Sequence, residues 1–83
     1  MEKKIIHLLV PAIDQEYDMF IPTEITIKDL TGLIGRAVEE VSGKQYISSG
    51  TEFLCLQEKS LVLVQEATVQ LYDIQNGDHI VFI

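Results

Sequence analysis

One stretch of this chain, Thr26 to Gly43, repeats its apolar residues at helical spacing, and no other stretch does so convincingly. Leu30, Leu33, Ile34, Ala37, Val38 and Val41 recur at three- and four-residue intervals, which places them in one stripe along an α-helix. Thr26 is positioned to cap the start, Asp29 stands in for the glutamate of a capping box, and Ser42 with Gly43 offers a stop. A lone amphipathic helix cannot bury its stripe by itself, so the remaining residues must supply a surface to cover it. Those residues read as strands.

Lys4 to Val10 is short, apolar and rich in branched side chains, with Ile6, Leu8 and Val10 expected against the helix and Ile5, His7 and Leu9 on the opposite face. Pro11 to Gln15 reads as a turn into a second strand, Glu16 to Ile21, so the two should form an antiparallel hairpin. Tyr17, Met19 and Ile21 take one face of that strand, and Glu16, Asp18 and Phe20 the other. After the helix, Lys44 to Gly50 reads as a polar loop and Glu52 to Gln57 as a third strand, with Leu54 and Leu56 inward and Phe53 and Cys55 outward. Glu58 to Ser60 makes a turn into a fourth strand at Leu61 to Val64. Gln65 to Asp73 is expected to carry a short helical turn, with Val69 and either Leu71 or Tyr72 reaching inward. Asn76-Gly77-Asp78 is a turn in which Gly77 can take a positive φ. It delivers the last strand, whose Ile80 and Phe82 face the helix and whose His79, Val81 and Ile83 face away.

Residues 1–83, at 47% hydrophobic and 23% charged, are expected to form one globular domain. No apolar run approaches the roughly 20 residues of a membrane-spanning helix, and no cleavage site follows the N-terminal residues, so neither direct membrane insertion nor export is expected. The single cysteine, Cys55, cannot close an internal disulfide, which points to a cytoplasmic location. A net charge of −7, with basic residues clustered only at Lys3-Lys4, disfavours nucleic acids and anionic membranes as partners.

Strand, strand, helix, strand, short strand, strand is the element order of the β-grasp, an α+β fold in which a mixed sheet of four to five strands packs on one central helix. The helix entry Thr26-Ile27-Lys28-Asp29-Leu30 resembles that of ubiquitin, as does Tyr72-Asp73-Ile74-Gln75 ahead of the last strand. More narrowly, Tyr17-Asp18-Met19-Phe20-Ile21-Pro22, Ile27-Lys28-Asp29-Leu30 and Tyr72-Asp73-Ile74-Gln75-Asn76-Gly77-Asp78 resemble the YukD/EsaB-like ubiquitin-like proteins found with type VII secretion systems. That resemblance implies a small cytoplasmic accessory or regulatory protein of a Gram-positive bacterium, with no cofactor and no catalytic residues. Its partner would be a protein, either a membrane component of the secretion system or a second copy of the chain. Ubiquitin and the sulfur carriers of this fold end in a flexible Gly-Gly, whereas this sequence ends Val81-Phe82-Ile83, inside the last expected strand. Conjugation is therefore not expected, and a carrier of sulfur or acyl groups is the alternative reading.

No catalytic constellation is evident. His7 and His79 fall in strands expected to pair, and without a carboxylate or cysteine to complete a site they read as surface histidines rather than metal ligands. Cys55 has no basic neighbour in sequence to activate it and reads as an apolar filler. The functional signal is a surface: Ile5, His7, Leu9, Phe53, Cys55, His79, Val81 and Ile83 are expected to share the open face of the sheet and to bind a partner there. Gly32 and Gly35 fall off the expected helix stripe, which makes them a candidate second contact where a partner backbone approaches closely.

Overall fold

The computed structural model describes residues 2–83. Its strands are β1 (Lys3–Val10), β2 (Gln15–Pro22), β3 (Leu54–Leu56), β4 (Leu61–Val62) and β5 (His79–Phe82), with one helix, α1 (Ile27–Val41), between β2 and β3. The five strands form one sheet in the order β2-β1-β5-β3-β4. β1 and β5 run parallel at its centre, and the other neighbours are antiparallel. This is the expected β-grasp with five strands.

Local chemistry sets the register. The hairpin turn is a 3-10 segment, Pro11–Ile13, closed by Asp14 in the left-handed region at φ 53°. Gly77 takes a φ of 90°, as its place in the turn requires. From there its N–H bonds to the Ile5 carbonyl at 2.9 Å, while the Asn76 side chain accepts from the Ile5 N–H at 2.9 Å. The turn is thereby stitched to β1, and β5 leaves it in parallel register, His7 beside His79 and Leu9 beside Val81.

The inward parities expected for β1, β3 and β5 hold: Ile6, Leu8, Val10, Leu54, Leu56, Ile80 and Phe82 are buried against α1, as is Ile21 of β2, while both residues of β4 are exposed. Leu63, Val69 and Ile74 complete the core, Tyr72 packs against it, and Leu71 stays exposed. β3 and β4 are shorter than expected. Beyond Val62 the chain turns Leu63 into the core, and the Val64 N–H donates to the Tyr72 hydroxyl at 2.8 Å rather than to the sheet.

The helix is rotated relative to the expected stripe. Its buried residues are Ile27, Leu30, Thr31, Ile34, Gly35 and Val38, whereas Leu33 and Val41 are 43% and 62% exposed. The cause lies at its N-terminus. Thr26 caps it as expected, its hydroxyl accepting from the Asp29 N–H at 3.1 Å. The free N–H groups of Ile27 and Lys28 bond to the carbonyls of Ala67 and Gln65, which rolls Ile27 into the core.

Gly35 is consequently a core-side residue and not an outward contact. A Cβ there would lie 2.8 Å from Ser48 Oγ and 3.7 Å from Phe82 Cζ, so the glycine lets the α1–β3 loop close onto the helix. Ala37 and Val41, on the other flank, border an apolar cleft with Leu8, Tyr17 and Met19. Among the described residues, no helix is long and apolar enough to cross a membrane.

Candidate interaction face

The sheet has one side against α1 and one side open. On the open side the register aligns Leu9, Val81, Cys55 and Val62 in a row across four strands. Beside that row, Phe53 and Ile83 exchange both backbone hydrogen bonds, at 2.6 and 3.0 Å, and extend the sheet past its named strands. Phe53, Val62 and Ile83 are 51%, 56% and 57% exposed, so the apolar strip is open to solvent. Leu9, Cys55 and Val81 are half-buried within it, and Ile5, also half-buried, lies beyond His7 along β1, opposite the exposed Phe20. All eight residues expected on this face lie on it. Val62 was not among them, although the pairing of a fourth strand with Cys55 was the signal that would have added it.

The next row is polar. His7 and His79 stand side by side with ring centroids 5.2 Å apart in an edge-to-face arrangement. Carboxylates do reach them, contrary to the expectation from sequence. His7 Nδ1 lies 2.6 Å from Asp18 Oδ1 and its Nε2 lies 2.6 Å from Glu16 Oε1. Both nitrogens can donate only in the imidazolium, so hydrogen bonds to Glu16 and Asp18 raise the pKa of His7 above its usual 6.5. His79 Nδ1 lies 2.6 Å from Glu58 Oε2, and its backbone N–H also reaches that carboxylate. These bonds, the imidazole's first, lower the pKa of Glu58. The hairpin register already places Asp18 opposite His7, which made that partner legible from sequence; Glu58 arrives from the turn after β3 and was not. Among the described residues, no group of three or more His, Cys, Asp or Glu side chains is arranged to hold a metal ion.

Behind the face, a buried carboxylate organises the loop that the sequence left featureless. Glu52, 8% exposed, accepts from the Tyr46 hydroxyl, the Ser48 hydroxyl and the Ser49 and Gly50 N–H groups. Tyr46 also stacks edge-to-face on Phe82, with centroids 5.4 Å apart. Of the two helix glycines, Gly32 is exposed as expected, with only Arg36 near its missing side chain, while Gly35 is covered by Ser48.

Comparison with solved structures finds ubiquitin-like domains. The ubiquitin-like domain of Plasmodium falciparum Dsk2 is 19% identical, with a TM-score of 0.71, over 99% of this chain and 100% of that one. A ubiquitin-like domain from Arabidopsis thaliana is 15% identical, with a TM-score of 0.73, over 100% of this chain and 78% of that one. The ubiquitin-like domain of EccD5 from Mycobacterium xenopi is 12% identical, with a TM-score of 0.71, over 100% and 94%. At these identities the likeness shows the fold. No family model and no curated protein matches the chain.

Proposed function

We propose that this chain is a single ubiquitin-like module that acts by docking the open face of its sheet on a protein partner. We further propose that it serves as a cytoplasmic accessory or regulatory component of a bacterial type VII secretion system. The observation that carries the docking reading is the exposed apolar strip of Phe53, Cys55, Val62, Val81 and Ile83, gathered from three strands on the side the helix does not cover. The secretion reading is supported by the sequence resemblance to YukD/EsaB-like proteins and by the structural likeness to the EccD5 domain. No reaction is assigned to the chain.

The test is affinity capture from the native host with the tagged protein and with Val81→Asp and Phe53→Asp. A membrane component of a type VII secretion apparatus should be recovered with the first and lost with both variants, whose circular dichroism and melting stay unchanged. Undiminished capture by the variants would refute docking through this face, and recovery of unrelated proteins alone would refute the secretion role.

A further inference from the structure

The fixed charge around the open face is mainly negative. Glu16 and Asp18 project from β2 with side chains 63% and 69% exposed, and Glu58 stands at the other end of the histidine row with its side chain 41% exposed. All but one of the chain's basic residues lie elsewhere. Lys28 and Arg36 are on α1, behind the sheet, and Lys44 is in the loop that follows it. Lys4 has the inward parity of Ile6 and sits 3.7 Å from Glu2. Lys59 Nζ bonds to the Tyr72 carbonyl. Only Lys3, at the start of β1, shares the outward parity of Ile5 and His7.

From this placement we infer that the face receives a protein surface in which lysine or arginine side chains border an apolar cluster, and that it does not pair with a second copy of itself. The inference rests on the docking reading above and adds the chemistry of the partner. The apolar strip alone would accept any apolar surface, because hydrophobic burial is not directional. The border selects. A two-fold dimer through this face would bring both copies of Glu16, Asp18 and Glu58 to one interface, between chains that each carry a net charge of −7.

A basic border meets the opposite situation. His7 occupies only one oxygen of each β2 carboxylate, Oε1 of Glu16 and Oδ1 of Asp18. The second oxygen of each accepts no hydrogen bond among the described residues, so a guanidinium or ammonium can reach it without displacing the imidazole. Single exposed pairs of this kind add little affinity, but together they steer association and reject acidic surfaces.

Two synthetic amphipathic helices of about 18 residues supply the test, one built from leucine and lysine and one with every lysine replaced by glutamate. Each is titrated into the full 15N-labelled chain at low and moderate salt, with amide shifts as the readout. The leucine-lysine peptide should shift Leu9, Cys55, Val62 and Val81, weaken about tenfold from roughly 20 to 200 mM salt, and weaken several-fold against Glu16→Gln/Asp18→Asn. The leucine-glutamate peptide should not bind, and the chain alone should sediment as a monomer at high concentration. Equal shifts of these amides by both peptides would overturn the basic-partner inference and leave the docking face standing. Dimerisation through these residues would do the same. Shifts confined to the cleft of Ala37 and Val41, or no shifts with either peptide, would overturn both.

Discussion

Replacing Glu52 by glutamine tests whether charge holds the α1–β3 loop. Each carboxylate oxygen accepts two hydrogen bonds. Oε2 takes the Tyr46 hydroxyl at 2.6 Å and the Ser49 N–H at 2.7 Å, and Oε1 takes the Ser48 hydroxyl and the Gly50 N–H, both at 3.1 Å. Burial works against the charged form, but these donors outweigh it and lower the pKa to about 2, while burial and the same carboxylate push the Tyr46 phenol up to about 12. Measured against an ordinary glutamate, at about 1.4 kcal/mol per pH unit, the lowered pKa is worth about 3 kcal/mol of folding stability. Because the folded-state pKa is depressed, that contribution is whole above the ordinary value of 4.5 and drains away as pH falls towards about 2.

Glutamine keeps the shape and must turn its NH2 towards one of the two donor pairs. Either hydroxyl can rotate to accept, but the backbone N–H beside it cannot. One part-buried donor is orphaned at about 1–3 kcal/mol, and the remaining bonds fall from charge-assisted to neutral strength. The expected loss is about 2–4 kcal/mol, or about 10–20 °C in Tm for a chain of this size. Urea and thermal unfolding followed by circular dichroism should show this gap near pH ~7 and less than about half of it near pH ~2.5, where the native carboxyl is itself partly protonated. A gap that stays constant with pH, or one below about 0.5 kcal/mol at neutrality, refutes the argument.

The helix glycines should respond with opposite signs. Gly32→Ala removes backbone freedom at an open site and should stabilise by about 0.5–1 kcal/mol, whereas Gly35→Ala drives a methyl into Ser48, which Glu52 holds, and should destabilise by about 1 kcal/mol or more in urea titrations. The rotated stripe predicts that Ile27→Ala costs about 2–4 kcal/mol and Leu33→Ala less than about 1 kcal/mol; equal costs would restore the stripe read from sequence. His7 should titrate above 6.5 by NMR. Since its folded-state pKa is raised, the stability it adds is complete below 6.5 and lost as pH rises through the folded value, so His7→Gln should be less stable than the native chain in mild acid and equal to it in mild base.

What was legible in the sequence was what alternation encodes. Ile6, Leu8 and Val10, Leu54 and Leu56, and Ile80 and Phe82 sit two residues apart and all point inward, because a half-covered strand leaves only one arrangement that buries its apolar side. The rotation of α1 was not encoded in that way. Leu33 and Val41 are as apolar as Ile27 and more apolar than Thr31 and Gly35, which are buried in their stead, and the choice is made by hydrogen bonds to Gln65 and Ala67, far along the chain. Glu52 was missed because a glutamate bears no local mark of burial, although its donors at Tyr46, Ser48, Ser49 and Gly50 all lie within six residues of it. The outward residues of the open face were legible, Asp18 beside His7 became so only through the strand register, and Glu58, in the turn after β3, did not.

Glu52 and Phe53 are neighbours that serve opposite sides of the sheet. Glu52 anchors residues 46–50 beneath α1, and Phe53 stands on the open face, where its N–H and carbonyl both bond to Ile83. That pair lies beyond the named ends of β3 and β5, so the loop anchor is what keeps its near side in register. Loosening the anchor should therefore loosen one end of the docking face without unfolding the sheet. In Glu52→Gln, amide exchange at Phe53 and Ile83 should become nearly independent of added urea, the mark of local opening, while Leu8 and Ile80 keep the urea dependence of global unfolding. If Phe53 and Ile83 retain the same dependence as Leu8, the anchor and the face are mechanically separate, and a weakened partner affinity in this variant has to come from lost global stability alone.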